Sequence, residues 1–132
     1  NEALFYFAED MLLHLDKADR LVTANVPLYF ALHLPHFLGF RMNDDYDLDQ
    51  NILDLQEGNF ISERPLHNYY IEGENALLTS QLLKVMQPAE LSNFPLHHDV
   101  RRKLLQYFHS YYALHIQDFG EMKTMAVLQD VL

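Results

Sequence analysis

Residues 93–117 read N-F-P-L-H-H-D-V-R-R-K-L-L-Q-Y-F-H-S-Y-Y-A-L-H-I-Q, and the fold turns on how that stretch is organised. At helical spacing it carries one apolar row of Val100, Leu104, Tyr107, Tyr111 and Leu114, and an adjoining one of Leu105, Phe108, Tyr112 and Ile116. Only a narrow polar row opposes them: Arg102, Gln106, His109, Ala113 and Gln117. A helix patterned this way is covered on most sides, so it is expected at the centre of a helical domain. Asn93 is the expected cap and Pro95 suits the first turn. Asp99 lies close enough to the amino end to be favoured by the helix dipole.

Moving toward the amino terminus, Pro88 breaks the chain before this helix, and a short turn through Leu91 is expected to lead into it. Glu74 to Met86 places Leu77, Leu78, Leu82 and Val85 on a further helix. Residues 63–73, with Pro65 and Gly73, read as irregular. Upstream, Ile52-Leu53-Asp54-Leu55 and Phe60-Ile61-Ser62 flank a turn containing Gly58, the pattern of a small β-hairpin. The stretch before it holds Asp44, Asp45, Asp47 and Asp49 with no basic residue among them, a solvated loop. Pro27 to Phe40 is apolar almost all round. Pro27 suits its first turn, Pro35 should kink it and Gly39 suits its end, with a polar connection over Lys17 to Asn25 before it. Residues 2–18 have Leu4, Phe7, Ala8, Met11 and Leu15 on one face, an amphipathic helix. In the other direction, the tail after Gly120 spaces Met122, Met125, Leu128 and Leu132 to dock on the body.

These elements make one mainly α domain, a compact helical bundle around a long C-terminal helix with a small β-hairpin insertion. At 132 residues and 49% hydrophobic, the chain can bury a core without staples. Since it begins at Asn1 already inside an amphipathic pattern, a preceding domain is expected. No run reads as a membrane span or a secretory leader, and with no cysteine a cytoplasmic origin is expected. A net charge of −10 argues against a dominant nucleic-acid surface, because phosphate backbones are bound mainly by Lys and Arg. Any basic site must be local, and the triplet Arg101, Arg102, Lys103 is the one cluster available.

Several constellations invite a chemical reading. Asp45, Asp47 and Asp49 alternate like the first ligands of a calcium loop. However, Gln50 stands where the sharp turn needs Gly, and Gln56 where a bidentate Glu is needed, so a solvated acidic loop is the better reading. His33 and His36 can share a helix face, yet nothing points to the further ligands zinc requires, and half-buried imidazoles in an apolar helix are the commoner case. Ser62, Ser80, Ser92 and Ser110 sit in no activating motif, and the glycines at 39, 58, 73 and 120 are isolated, so no phosphate loop exists. No enzyme and no cofactor are expected. Tyr107, Phe108, Tyr111 and Tyr112 read as core aromatics rather than base-stacking platforms, since single-strand binding needs a basic groove beside them.

Four segments carry a family resemblance: H-F-L-G-F at 36–40, L-D-L-Q-E-G-N-F at 53–60, R-P-L-H at 64–67 and, most specifically, Y-Y-A-L-H-I-Q-D-F-G-E-M-K-T-M-A-V-L-Q-D-V-L at 111–132. Together, in order, they resemble the carboxy-terminal domain of RecO, the bacterial recombination mediator of DNA repair. The resemblance implies a helical domain spanning 1–132 that follows an OB-fold absent from this chain. It further implies a non-catalytic role in recombinase loading and strand annealing, with RecR and the acidic tail of single-stranded DNA-binding protein as partners. DNA would be held mainly by the missing amino-terminal domain. The competing expectation is a helical protein-interaction domain unrelated to repair. Many members of the family hold zinc with four cysteines in the segment that corresponds here to Met42–Tyr70, so the hairpin is expected as a zinc-free counterpart held by Ile52, Leu53, Leu55, Phe60 and Ile61. A docked acidic tail needs an apolar pocket and a cation. The candidates are Arg101, Arg102 and Lys103 with Leu104, and Lys123 with Met122.

Overall fold

The computed structural model describes residues 2–6 and 20–116. Residues 2–6 are helical, in line with the expected first helix, whose remainder lies outside the described residues, as does the tail after Gly120. The other elements, in chain order, are α1 (Arg20–Leu38), β1 (Ile52–Asp54), β2 (Asn59–Ile61), β3 (Tyr70–Ile71), α2 (Glu74–Leu83), a 3-10 helix over Pro88–Asn93, and α3 (His98–His115). The protein is mainly helical, with a long helix toward the C-terminus and a small antiparallel sheet.

The most completely covered helix is α1. Val22, Val26, Leu28, Phe30, Ala31, Leu32 and Leu34 are all buried, and full burial of a large aliphatic or aromatic side chain contributes about 1.5–3 kcal/mol. The sequence places its start at Pro27 after a polar connection, but the helix is already running at Arg20, and Pro27 and Pro35 both lie inside it. Burial explains the difference. Asn25, expected in the connection, is fully buried and donates from Nδ2 to the carbonyls of Leu91 (2.9 Å) and Phe94 (2.8 Å), which pins the first turns of α1 to the 3-10 helix. Tertiary packing of this kind outweighs the local preference of proline for a first turn.

The α3 helix buries Leu104, Phe108, Tyr111 and Tyr112, packing against α1 and α2 and reaching the hairpin turn through Tyr111, while Val100, Leu105, Tyr107, Leu114 and Ile116 are half-buried at its flanks. It begins later than Asn93 and Pro95 suggest. Asn93 ends the 3-10 helix, and the cap is His97, whose Nδ1 accepts the Asp99 backbone N–H at 3.1 Å. The earlier turn is claimed by Glu90, whose carboxylate accepts the backbone N–H groups of Met86 and Gln87 and starts the 3-10 helix there.

The hairpin forms as expected, with Ile52 opposite Ile61 and Leu53 opposite Phe60. Gly58, at φ +76°, supplies the left-handed residue of its turn and donates to the Asp54 carbonyl at 2.7 Å. A third strand joins it within the stretch read as irregular: β3 pairs antiparallel with β1, Leu53 facing Ile71, giving the order β2-β1-β3. Two residues are too few to show an alternating pattern. The α2 helix stops at Leu83, three residues before the expected end.

Candidate partner-binding groove

The amino-terminal half of α3 lies across α1, and the two helices leave between them a groove of about 610 Å³. Its α1 wall is formed by Thr23, Ala24 and Pro27; its α3 wall carries His98, Arg101, Arg102, Leu105, Gln106 and His109. On a helix these α3 residues recur every three or four positions and so share one side. The floor is apolar at Pro27 and Leu105, and the rim is cationic. An apolar floor with guanidinium groups above it is the combination that receives an acidic peptide with an apolar residue.

Arg101 is partly held already, donating from Nη1 to the Leu96 carbonyl, which fixes its guanidinium beside the groove. Arg102 donates from Nη2 to His98 Nε2 at 3.2 Å; because guanidinium has no acceptor, that nitrogen of His98 carries no proton in this arrangement. The rest of the expected basic site divides differently. Lys103 points elsewhere, its ammonium 5.0 Å from the centre of the Tyr107 ring, a cation–π contact. Leu104 is fully buried in the core and offers a partner no surface, because the residue facing the groove is its neighbour Leu105. Met122 and Lys123 lie outside the described residues. The α1 wall has no signal of its own in the sequence, but Arg102, Gln106 and His109 are the polar row of the long helix, and that row lines the groove.

The other constellations are engaged structurally. Asp47 Oδ1 accepts the backbone N–H groups of Asp49 and Gln50, both at 2.7 Å, closing a turn, and Asp45 Oδ1 accepts that of Phe60 at 3.1 Å. These carboxylates order the acidic loop and tie it to β2. His33 stacks on Tyr29 with ring centres 4.2 Å apart and places Nε2 3.4 Å from the Leu82 carbonyl. Its burial lowers its pKa below 6.5, an effect the Leu82 contact opposes and nearby His36 reinforces. Among the described residues no three His, Cys, Asp or Glu side chains are grouped to hold a metal, and no helix is long and apolar enough to cross a membrane.

No protein-family model matches the chain, and no solved structure does. Curated relatives do. DNA repair protein RecO of Bacteroides fragilis is 32% identical over 133 aligned positions, 99% of this chain and 54% of that protein. RecO of Christiangramia forsetii is 31% identical over 131 positions, covering 99% of this chain and 53% of that one. RecO of Azobacteroides pseudotrichonymphae is 29% identical over 109 positions, 82% and 44% respectively. The chain therefore spans about half the length of the curated relatives it matches. Over nearly its whole length the chain is homologous to DNA repair protein RecO, of which it matches about half.

Proposed function

We propose that this chain is the carboxy-terminal helical domain of a recombination mediator and serves it as a non-catalytic binding module in the cytoplasm. It takes part in recombinase loading and strand annealing through partner contacts. Homology to RecO supports the family role, and the groove between α1 and α3 supports the mode of action. On a chain of net charge −10, Arg101 and Arg102 stand together over an apolar floor. That arrangement suits the acidic, apolar-ended tail of single-stranded DNA-binding protein far better than a DNA backbone, which requires a wide cationic surface. DNA binding is then the work of the amino-terminal OB-fold, with RecR as the other partner of the assembled mediator.

The test is fluorescence anisotropy of a labelled tail peptide titrated with the protein, with a labelled oligonucleotide in parallel. Saturable peptide binding that weakens with salt is expected, and Arg101→Glu with Arg102→Glu should lower affinity at least tenfold at low ionic strength. Lys103→Glu, which lies away from the groove, should change it far less. Equal losses from both substitutions would mean that general charge rather than the groove attracts the peptide, and absence of binding would favour a scaffold role.

A further inference from the structure

Zinc, which the family resemblance associates with the segment between α1 and α2, does not fit the residues present. The chain has no cysteine, and no group of three ligating side chains occurs among the described residues. The segment nevertheless has a well-defined fastening point at Asp54, the one carboxylate among the buried side chains described, with 5% of its surface exposed. Asp54 ends the central strand, paired on one side with Asn59 of β2 and on the other with Tyr70 of β3.

Its Oδ1 accepts two hydrogen bonds and stands within ion-pair distance of a ring nitrogen. The backbone N–H groups of Gln56 (2.8 Å) and Glu57 (3.2 Å) come from the hairpin turn, and His67 Nε2 approaches to 3.1 Å from the stretch leading into β3. His67 is itself oriented: its Nδ1 accepts the Tyr69 backbone N–H at 3.0 Å, so that nitrogen is bare and the ring proton is carried by Nε2, the nitrogen that lies 3.1 Å from the carboxylate. A buried carboxylate is tolerated only when its charge is met by hydrogen bonds, and donors gathered on an anion are stronger than neutral pairs. Asp54 thus joins the turn, the hairpin and the third strand at one oxygen.

We infer that the Asp54–His67 pair is the fastener of this segment, replacing with charge-assisted hydrogen bonds the cross-link a bound metal provides in cysteine-bearing relatives. The contrast with those relatives rests on the family reading, whereas the fastening itself rests on the geometry alone. A metal gathers ligands from separated loops around one centre, and the Asp54 oxygen gathers the same kind of separated backbone, with His67 as the distant ligand. The hydrophobic residues Leu53, Leu55 and Phe60 remain the bulk of the packing, and the pair sets how the strands meet over it.

The experiment is thermal unfolding of the whole chain with and without chelator, on wild type, Asp54→Asn, His67→Ala, His67→Gln and the double variant Asp54→Asn/His67→Ala, together with metal analysis of the purified protein. Expected are no bound zinc, no shift with chelator, a fall in Tm of roughly 5–10 °C for Asp54→Asn and for His67→Ala, and a double variant little worse than either. His67→Gln, which keeps a donor for Asp54, should recover part of the loss. Should Asp54→Asn fail to fold, the His67→Ala and His67→Gln comparison decides alone, with amide exchange at Gln56 and Glu57 as the local readout. Zinc in the protein, a Tm lowered by chelator, additive losses in the double variant, or His67→Gln no better than His67→Ala would each overturn the inference. None of these results depends on whether the tail peptide binds the groove.

Discussion

The Tyr112 hydroxyl donates to the Ala31 carbonyl at 2.7 Å, and that carbonyl is the one whose partner within α1 is removed by Pro35. Proline has no N–H, so a proline inside a helix leaves the carbonyl four residues earlier without its usual donor. In the centre of a core such an omission costs about 1–3 kcal/mol unless another donor reaches it. Here the donor comes from α3, and a potential defect in the buried helix becomes a contact between α1 and α3. The phenol is itself held neutral, its pKa raised first by burial and then by its neighbour Tyr111.

Tyr112→Phe is therefore expected to destabilise the protein by about 1–3 kcal/mol, although it removes a single oxygen and leaves the buried ring in place. Urea unfolding followed by circular dichroism measures it. The informative comparison is the double variant with Pro35→Ala, which returns a backbone N–H as a partner for the Ala31 carbonyl and should make the loss of the hydroxyl smaller. If Tyr112→Phe costs the same in the Pro35→Ala background, the proline and the tyrosine are not coupled.

A second latch lies one residue earlier in the sequence. Tyr111 donates to the Phe40 carbonyl just beyond α1, and its ring edge closes over the hairpin turn. A Cβ placed on Gly58 would stand 3.1 Å from the Tyr111 hydroxyl oxygen, at a φ of +76° that L side chains rarely adopt. Gly58→Ala should lose the roughly 1–2 kcal/mol of a left-handed alanine together with the cost of displacing Tyr111. Gly39, at φ +89° with nothing within 4 Å of the place a Cβ would take, is the control for the backbone part alone. Chemical denaturation should rank Gly58→Ala clearly below Gly39→Ala, and equal losses would show that the tyrosine yields without cost.

Much of this architecture was legible because it is periodic. The rows of α3, the apolar run of α1 and the hairpin around Gly58 each repeat a pattern that burial imposes. What escaped was set by single long-range contacts. Asn25 reads as a polar linker residue until its two carbonyl partners, 66 and 69 residues away, are in view. The β3 strand is two residues long, and its pairing with Leu53 and Asp54 leaves no local trace. At the groove, Arg101 and Arg102 could be anticipated as the local cationic cluster. By contrast, Leu104, the apolar candidate beside them, is buried, and the apolar residue that lines the groove is Leu105, about a 100° turn of the helix away; the α1 wall of Thr23, Ala24 and Pro27 comes from a packing that leaves no local pattern.

His33 gives the acid limb of the stability profile a specific origin. Burial disfavours its imidazolium and holds its pKa below the ordinary 6.5, despite the opposing influence of the Leu82 carbonyl. His36, Arg41, Asp44 and Asp45 line the cavity beside it, and His36 reinforces the lowering. The unfolded chain takes up a proton at this residue near pH 6.5, before the folded protein does. Stability from this residue is thus complete above that pH and is lost as pH falls through 6.5 toward the lower, folded value. His33→Gln keeps a donor for the Leu82 carbonyl and cannot titrate, so stability measured from neutral pH down to about pH 5 should decline less steeply in the variant than in the wild type. The residue's own titration, followed by nuclear magnetic resonance, should lie below 6.5; a value above it, together with an unchanged slope in His33→Gln, would assign the acid sensitivity to other groups.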